Sequence, residues 1–272
     1  MSTQQEKANR FRALHQQDHA FIIPNPWDVG TARLLAGLGF EALASTSAGY
    51  AFSMGRRDGA VGRDQMMLHL AELASATDLP VSADLENGFG DDPQAAAQTI
   101  SRAAAAGMVG GSIEDATGRR DDPIYPQALA VERIRAAVAA ARALPFSFTL
   151  TARAENYLHG RPNLKDTIAR LQAYQEAGAD VLYAPGLKTR DDIAAVVSSV
   201  DRPVNVLAGP QVHMTLDKLS RIGVKRVSVG GSLARAAFGA MLRAGHEMRE
   251  HGSFDFANDA VSHGDISAML PP

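Results

Sequence analysis

The chain has 272 residues, no cysteine, and a net charge of −3 from 27 Lys plus Arg against 30 Asp plus Glu. That length holds one large α/β barrel or two modest domains, and the missing thiol removes disulfides, cysteine nucleophiles, Cys-ligated zinc and Cys-held iron–sulfur clusters. The near-balanced charge builds no basic field for nucleic acid or an anionic membrane, so small molecules are the expected partners. From the N-terminus, Met-Ser-Thr-Gln-Gln-Glu-Lys carries no apolar signal core. No later stretch approaches the roughly 18 apolar residues of a membrane span, and a cytoplasmic protein is expected.

Short β-rich apolar runs follow at residues 20–23, 42–46, 80–86, 111–114, 147–154, 180–184, 204–208 and 226–230, which makes eight candidate strands. Ala-rich amphipathic segments lie between them, for example 93–106, 126–142, 164–177 and 189–200, several opened by Asp, Asn or Pro and closed by Gly. Gly39, Gly107, Gly178 and Gly223 each stand just past such a helix, where a left-handed cap is needed. Strands apolar on both faces, alternating with helical crossovers, imply a parallel sheet covered on both sides. Eight such units at this length fit an α/β fold of the (β/α)8 TIM-barrel type. An open doubly wound sheet is the alternative, but no Gly-x-Gly-x-x-Gly turn follows the first strand. No linker or charge block divides the chain, so residues 1–272 read as one domain with a C-terminal helical extension over 232–272. In that extension a helix at 233–250 precedes a tail whose Phe254, Phe256, Ile266, Met269 and Leu270 are expected to pack on something, a neighbouring subunit included.

In a barrel the reactive groups stand at the C-terminal strand ends. The third candidate strand ends in Asp84-Leu85-Glu86-Asn87-Gly88-Phe89-Gly90. Asp84 and Glu86, two apart, are expected on one face, where like charges repel unless a cation, a proton or solvent separates them. The fourth ends in Glu114-Asp115, so three carboxylates from adjacent strands suit Mg²⁺, with Mn²⁺ as its substitute. The bland reading is a set of strand-end acids answering helix N-termini or arginines. Arg153, at the end of the fifth strand, is placed either to clamp a substrate carboxylate through two parallel hydrogen bonds or to pair with Glu114 or Glu155.

After the second strand, Ser45-Thr46-Ser47-Ala48-Gly49-Tyr50 is a small-residue turn whose amides suit a carboxylate or oxyanion. The long loop beyond it carries Asp58, which is either close to the metal or a simple turn residue. Asn205 is on the seventh strand, and Gly230-Gly231 opens the last helix as a phosphate turn or a plain tight turn. Lys188 suggests a Schiff-base aldolase, but it lies past its strand end, where a solvated lysine is the better reading.

Together, Phe21-Ile22-Ile23-Pro24-Asn25-Pro26-Trp27-Asp28, Thr46-Ser47-Ala48, Arg57-Asp58, Ala83-Asp84-Leu85-Glu86 with Gly88-Phe89-Gly90, Ile113-Glu114-Asp115 and Ala152-Arg153-Ala154 resemble the isocitrate lyase/phosphoenolpyruvate mutase superfamily over residues 20–250. The resemblance implies a (β/α)8 barrel, often with its eighth helix swapped between subunits, as a homodimer or homotetramer. It also implies Mg²⁺-dependent making or breaking of C–C or P–C bonds beside a carboxylate. By position, Asp84, Glu86 and Glu114 match the metal-site acids, some of them acting through water. Asp58 matches a loop acid near that metal, and Arg153 the arginine that holds the substrate. Thr46, Ser47 and Ala48 match the carboxylate-binding turn, and Asn205 a polar residue of the substrate pocket.

The chain also departs from the family pattern. Isocitrate and methylisocitrate lyases carry a Lys-Lys/Arg-Cys-Gly-His loop after the fourth strand; this chain reads Gly118-Arg119-Arg120-Asp121-Asp122-Pro123-Ile124-Tyr125. The mutase's Lys and Asn loop pattern is missing as well, and its histidine on strand six is replaced around Tyr183-Ala184-Pro185. The expected activity is a Mg²⁺-dependent C–C lyase or decarboxylase of small 2-oxo or 2-hydroxy (di)carboxylic acids acting through an enolate. A hydrolase of oxaloacetate or a phosphonopyruvate-type substrate and a non-catalytic 2-oxo acid binder are the alternatives. Asp121 or Asp122 is the candidate for the missing acid.

Overall fold

A computed structural model describes residues 2–209 and 212–270. Its elements run α1 (Gln4–Leu14), β1 (Phe21–Ile23), α2 (Val29–Gly37), β2 (Leu43–Ala44), α3 (Ser47–Ser53), α4 (Arg63–Ala76), β3 (Val81–Asp84), α5 (Pro93–Ala105), β4 (Gly110–Glu114), α6 (Gln127–Arg142), β5 (Thr149–Arg153), α7 (Leu164–Glu176), β6 (Val181–Tyr183), α8 (Arg190–Ser198), β7 (Val204–Leu207), α9 (Leu216–Arg221), β8 (Arg226–Ser228), α10 (Ser232–His251), a 3-10 turn (Asp255–Asp259) and α11 (His263–Met269). All eight strands pair in parallel, in the order β1-β8-β7-β6-β5-β4-β3-β2. At the seam the Ala44 amide donates to the Pro24 carbonyl at 3.0 Å. Asn25 stitches the same corner: its Nδ2 donates to Ser45 O at 3.1 Å, and its Oδ1 accepts from the Val229 and Gly230 amides at 2.9 and 2.8 Å. The eight-unit barrel expected from the strand count is the fold.

The helix signals work as their chemistry requires. Asp92 caps α5 by accepting from the Gln94 amide at 2.7 Å, and Pro93 occupies the first turn, where its missing N–H costs nothing. Gly39, Gly107, Gly178 and Gly223 all take φ between 88° and 103°. At Gly107 a Cβ would also stand 2.8 Å from Ala74 Cβ, so the tight approach of α5 to α4 excludes a side chain there. The strands are shorter than their apolar runs, because the chain turns over the barrel mouth before the run ends. The run at 80–86 stops its ladder at Asp84, and Glu86 already has φ +48.

Helix α1 was absent from the sequence reading, and it closes the bottom of the barrel. Thr3 and Glu6 form its capping box. Its Ala8, Phe11 and Leu14 pack against Phe21, Ile23, Ala42 and Val109 in a cluster separate from the main core. A Cβ on Gly110 would meet the Phe11 ring at 2.8 Å, so the glycine makes room for the plug. The tail folds back over the chain's own α2, where Met269 Cε lies 3.8 Å from the position of a Cβ on Gly37.

The inside of the barrel floor is polar. Arg226, buried on β8, donates from Nε to Asn205 Oδ1 and from Nη2 to Thr151 Oγ1, both at 2.9 Å, and its Nη1 lies 3.3 Å from His15 Nε2. Arginine can only donate, so Nε2 is the acceptor. The other ring nitrogen, Nδ1, therefore carries the hydrogen given to Phe11 O at 2.8 Å. Burial first, and Arg226 second, push His15 down to about 3 from 6.5. Between those values the unfolded chain holds a proton that the folded one lacks, so stability falls as pH drops from 6.5 towards 3. His15→Gln is expected to flatten this limb of stability against pH, read from urea midpoints between about pH 7 and 4. An unchanged slope would remove His15 from the account.

Candidate active site

Strand register decides which polar side chains meet at the mouth. Glu114, Arg153 and Tyr183 are direct neighbours across β4, β5 and β6, and Asp84 of β3 stands beside Ser112 of β4. They line a cavity of about 380 Å³, the size of a small-ligand site. Its floor includes Asn205, Arg226 and Ser228, and its rim includes Asp58 and His159.

Arg153 organises the acids. Its Nη1 lies 2.9 Å from Asp84 Oδ1, its Nη2 3.2 Å from Glu114 Oε2 and its Nε 2.8 Å from Glu155 Oε1. The guanidinium also stands 5.1 Å from the centre of the Tyr183 ring. The ion-pair reading of Arg153 is the one observed: it pairs with Glu114 and Glu155 while lining the cavity. Burial pushes Glu114 well above the ordinary carboxylate range, with Glu155, Asp84 and Glu86 adding to the shift against the pull of Arg153. Tyr183, enclosed against Arg153, is held up at about 12, with burial the main cause.

Asp84 is fixed from the other side by α3. The Ser47 amide and hydroxyl donate to its Oδ2 at 3.0 and 2.9 Å, and its own amide donates to Ser45 Oγ at 2.8 Å. The turn expected to cradle a substrate carboxylate therefore already holds an acid of the protein. Thr46 Oγ1 caps α3 by accepting from the Gly49 amide at 3.1 Å, and Ser47 and Ala48 line the cavity. Asp58 receives the Ser47 hydroxyl at 3.3 Å, and enclosure followed by Asp84 raises its carboxyl.

Glu86 differs from its expectation. It lies beyond β3 in a left-handed backbone conformation, so the alternation of a strand does not place it on the Asp84 face; the turn does. A left-handed non-glycine residue costs roughly 1–2 kcal/mol. Its Oε1 is buried without a hydrogen-bond partner, and burial, then Asp84 and Asp58, push the group up to about 8. An orphaned buried carboxylate oxygen among further acids calls for a cation, and an all-oxygen donor set fits a hard divalent ion such as Mg²⁺. Among the described residues no three acidic or histidine side chains converge closely enough to hold an ion directly. The spacing therefore suits an ion that keeps much of its water shell, as Mg²⁺ does.

Asn205, expected as a pocket residue, lines the floor with its side chain held by Arg226 and Ser228. Gly230 and Gly231 line the cavity too, whereas Lys188 is exposed and lines no part of it. Asp121 and Asp122 are exposed and absent from the cavity wall, because Arg119 turns to Asp91 at 2.7 Å and draws the loop after β4 outward. The sequence reading missed Arg226, Tyr183 and His159 as cavity residues, and took Glu155 only as a partner for Arg153. Strand period alone marks Tyr183 and Arg226 as inward-facing, since they pair with Arg153 and Asn205. Nothing local marks His159, which reaches the rim from the loop after β5.

A family model described as phosphoenolpyruvate phosphomutase matches residues 11–249. The crystal structure of a lyase/mutase-type protein from Burkholderia cenocepacia J2315 is 65% identical, with a TM-score of 0.95 over 97% of this chain and 95% of that one. The 2-methylisocitrate lyase of Bacillus subtilis (strain 168) is 29% identical, over 93% of this chain and 85% of that protein. A structure of oxaloacetate acetylhydrolase with its product oxalate is 25% identical, with a TM-score of 0.86 over 99% of this chain and 95% of that one.

The orphaned Glu86 sets a measurable trade. Glu86→Gln is expected to stabilise chelator-treated protein near pH 7 by on the order of 1–3 kcal/mol, since a neutral amide is spared the proton that the raised Glu86 carboxyl must take up on folding. The same change is expected to weaken Mg²⁺ binding in calorimetry. A variant that melts lower and binds Mg²⁺ as before would contradict this role.

Proposed function

The chain belongs to the phosphoenolpyruvate phosphomutase family, within the isocitrate lyase/phosphoenolpyruvate mutase superfamily of enzymes. From that premise we propose a Mg²⁺-dependent lyase or decarboxylase of small 2-oxo or 2-hydroxy (di)carboxylic acids that works through an enolate. The observation that carries this reading is the buried cluster of Asp84, Glu114 and Glu155 around Arg153, with Glu86 unpartnered beside it. Its proposed setting is the cytoplasm, where Mg²⁺ and such acids meet. Among the described residues no helix is long and apolar enough to cross a membrane.

Each residue has a task that its surroundings allow. Asp84, Glu86 and Glu114 would hold the ion through its water shell, with Asp58, which meets Asp84 at the Ser47 hydroxyl, beside them. When bound, Mg²⁺ supplies a charge that draws the substrate carboxylate and its neighbouring oxygen into place and offsets the charge of the enolate. Arg153 has five N–H donors, three of which engage Asp84, Glu114 and Glu155, leaving two for a substrate carboxylate. Ser47 fixes Asp84, Thr46 shapes the turn that presents Ser47 and Ala48, and Asn205 meets the far end of the substrate.

A hydrolase of oxaloacetate or a phosphonopyruvate-type acid is the second reading, supported by the likeness to oxaloacetate acetylhydrolase over nearly the whole chain. Products separate the two: cleavage or decarboxylation yields pyruvate or another oxo acid, hydrolysis of oxaloacetate yields oxalate and acetate. A metal-replete screen of oxaloacetate, methylisocitrate, isocitrate, alkylmalates and phosphonopyruvate, with product identification, tests both. Binding of 2-oxo acids without turnover across that panel would favour a non-catalytic binder.

Asp84→Ala or Glu114→Ala is expected to lower metal-dependent turnover at least about 100-fold, the scale of several kcal/mol of lost enolate stabilisation, while circular dichroism stays native. Undiminished turnover by either variant in chelator-treated buffer would defeat the proposal. A homodimer or homotetramer is proposed as well. Only Ala234 of the twenty residues of α10 is buried, while Met241 and Leu242 are 60% and 58% exposed. Light scattering is expected to give two or four times 28.8 kDa, and Met241→Glu with Leu242→Glu to lower that mass. A wild-type mass of one chain would rule the assembly out.

A further inference from the structure

We propose that His159 is the acid–base residue that carries the proton to and from the reacting carbon of the substrate. This rests on the enolate-forming reading of the cavity and names the group that reading leaves open. Cleavage that leaves an electron pair on carbon needs a proton delivered there, and the chain has no thiol to supply it. Asp121 and Asp122 lie outside the cavity wall.

The remaining groups in the wall are committed elsewhere. Arg153 binds both Glu155 and Glu114, the latter at 3.2 Å, and Asp84 is held by Ser47 and Arg153. Arg226 is tied down in the floor by Asn205, Thr151 and His15. The Tyr183 ring sits under Arg153, and burial holds its phenol well above the ordinary range. Asp58 and Glu86 belong with the cation. His159 is the one histidine among the lining residues.

Its loop is built to hold it still. The His159 and Leu158 amides donate to Glu155 O at 3.2 and 3.0 Å, and the Arg161 amide to Asn156 O at 2.9 Å. Buried Asn156 anchors the far side, donating to Arg161 O at 3.2 Å, Asn163 O at 3.3 Å and Thr167 Oγ1 at 2.8 Å. The backbone is thus fixed at both ends, while the imidazole, unengaged by hydrogen bonds among the described residues, stands at the rim between the cavity and solvent. Three charged groups face it: Asp115, which favours the imidazolium, and Arg153 and Arg161, which oppose it. Partial burial is the largest influence and, with the two arginines, keeps the ring below its ordinary 6.5.

The step balances. In decarboxylation of a four-carbon 2-oxo diacid the C–C bond breaks, carbon dioxide leaves, and the electron pair stays on the fragment that becomes pyruvate. The His159 imidazolium gives its N–H proton to that carbon, forming the methyl C–H bond. The neutral ring then takes a proton from solvent. Run backwards, the neutral ring removes a methyl proton from pyruvate, and in D₂O the methyl group acquires deuterium.

The test follows that exchange by proton NMR, with full-length protein, Mg²⁺ and pyruvate in D₂O. Wild type is expected to exchange the methyl protons at a rate that rises with pH and levels off above the His159 titration. His159→Gln is expected to slow exchange about 100-fold or more, the scale of a lost acid–base group, and to lose the pH limb. Its affinity for oxalate, a planar stand-in for the enolate, is expected to stay within about twofold, because no binding contact is removed. Added imidazole is expected to restore exchange to His159→Ala, which a purely structural residue would not allow. Exchange by His159→Gln at the wild-type rate, with the pH limb intact, overturns the proposal. Wild type that neither exchanges pyruvate protons nor cleaves any acid of the panel overturns instead the enolate reading on which it stands.

Discussion

One guanidinium holds the mouth of the barrel together. Arg153 is mostly enclosed, and each of its three nitrogens faces a different carboxylate on a different stretch of chain. Taking such charges out of water costs several kcal/mol per ion, and the cluster survives only because geometry returns that energy as charge-assisted hydrogen bonds. The geometry comes from the sheet: Glu114 beside Arg153 beside Tyr183 is a consequence of parallel register, not of loop packing. Neutralising one acid leaves Arg153 two partners, whereas removing Arg153 leaves three acids buried among themselves. The asymmetry explains why this arginine belongs as much to the fold as to the chemistry.

A second polar layer lies directly beneath. Thr151, Asn205, Arg226 and His15 fill a level of the barrel that branched apolar side chains usually occupy. The layer joins the cavity to α1, since His15 caps the C-terminus of that helix and Arg226 lines the cavity. Pulling α1 away would strip Arg226 of one acceptor and open the bottom of the barrel to water. The plug therefore protects the electrostatics of the site from below, as the loops do from above.

Much of this was legible in the sequence, and the reasons differ by residue. The eight units were readable because apolar runs alternate with capped helices, and the four helix-ending glycines because their left-handed φ leaves little other choice. Asp84, Glu114 and Arg153 were readable because a strand end fixes where a side chain points. Glu86 was assigned to the right cavity for the wrong reason: a period of two was applied one turn past the end of its strand. Helix α1 escaped because its first residues are polar and its apolar stripe of Ala8, Phe11 and Leu14 is short. His159 escaped because a loop residue acquires meaning only when the loop's hydrogen bonds say where it stands.

The acids themselves imply an order of events. Asp58, Asp84, Glu86, Glu114 and Glu155 line a cavity that holds Arg153 and Arg226 as its only arginines among the described residues. Empty of ligand, such a site relieves its own repulsion by keeping protons, and Glu86 and Glu114 show this in their raised carboxyls. An anionic substrate entering first would meet acids that are partly charged and already claim Arg153. Under the proposed reading, a divalent cation entering first would displace those protons, reverse the local field and turn the same walls attractive to a carboxylate. Binding of the ion and of the acid would then be coupled through charge. The left-handed turn at Glu86 fits this scheme, because the surrounding fold sustains its cost and a bound cation would give the orphaned oxygen a partner.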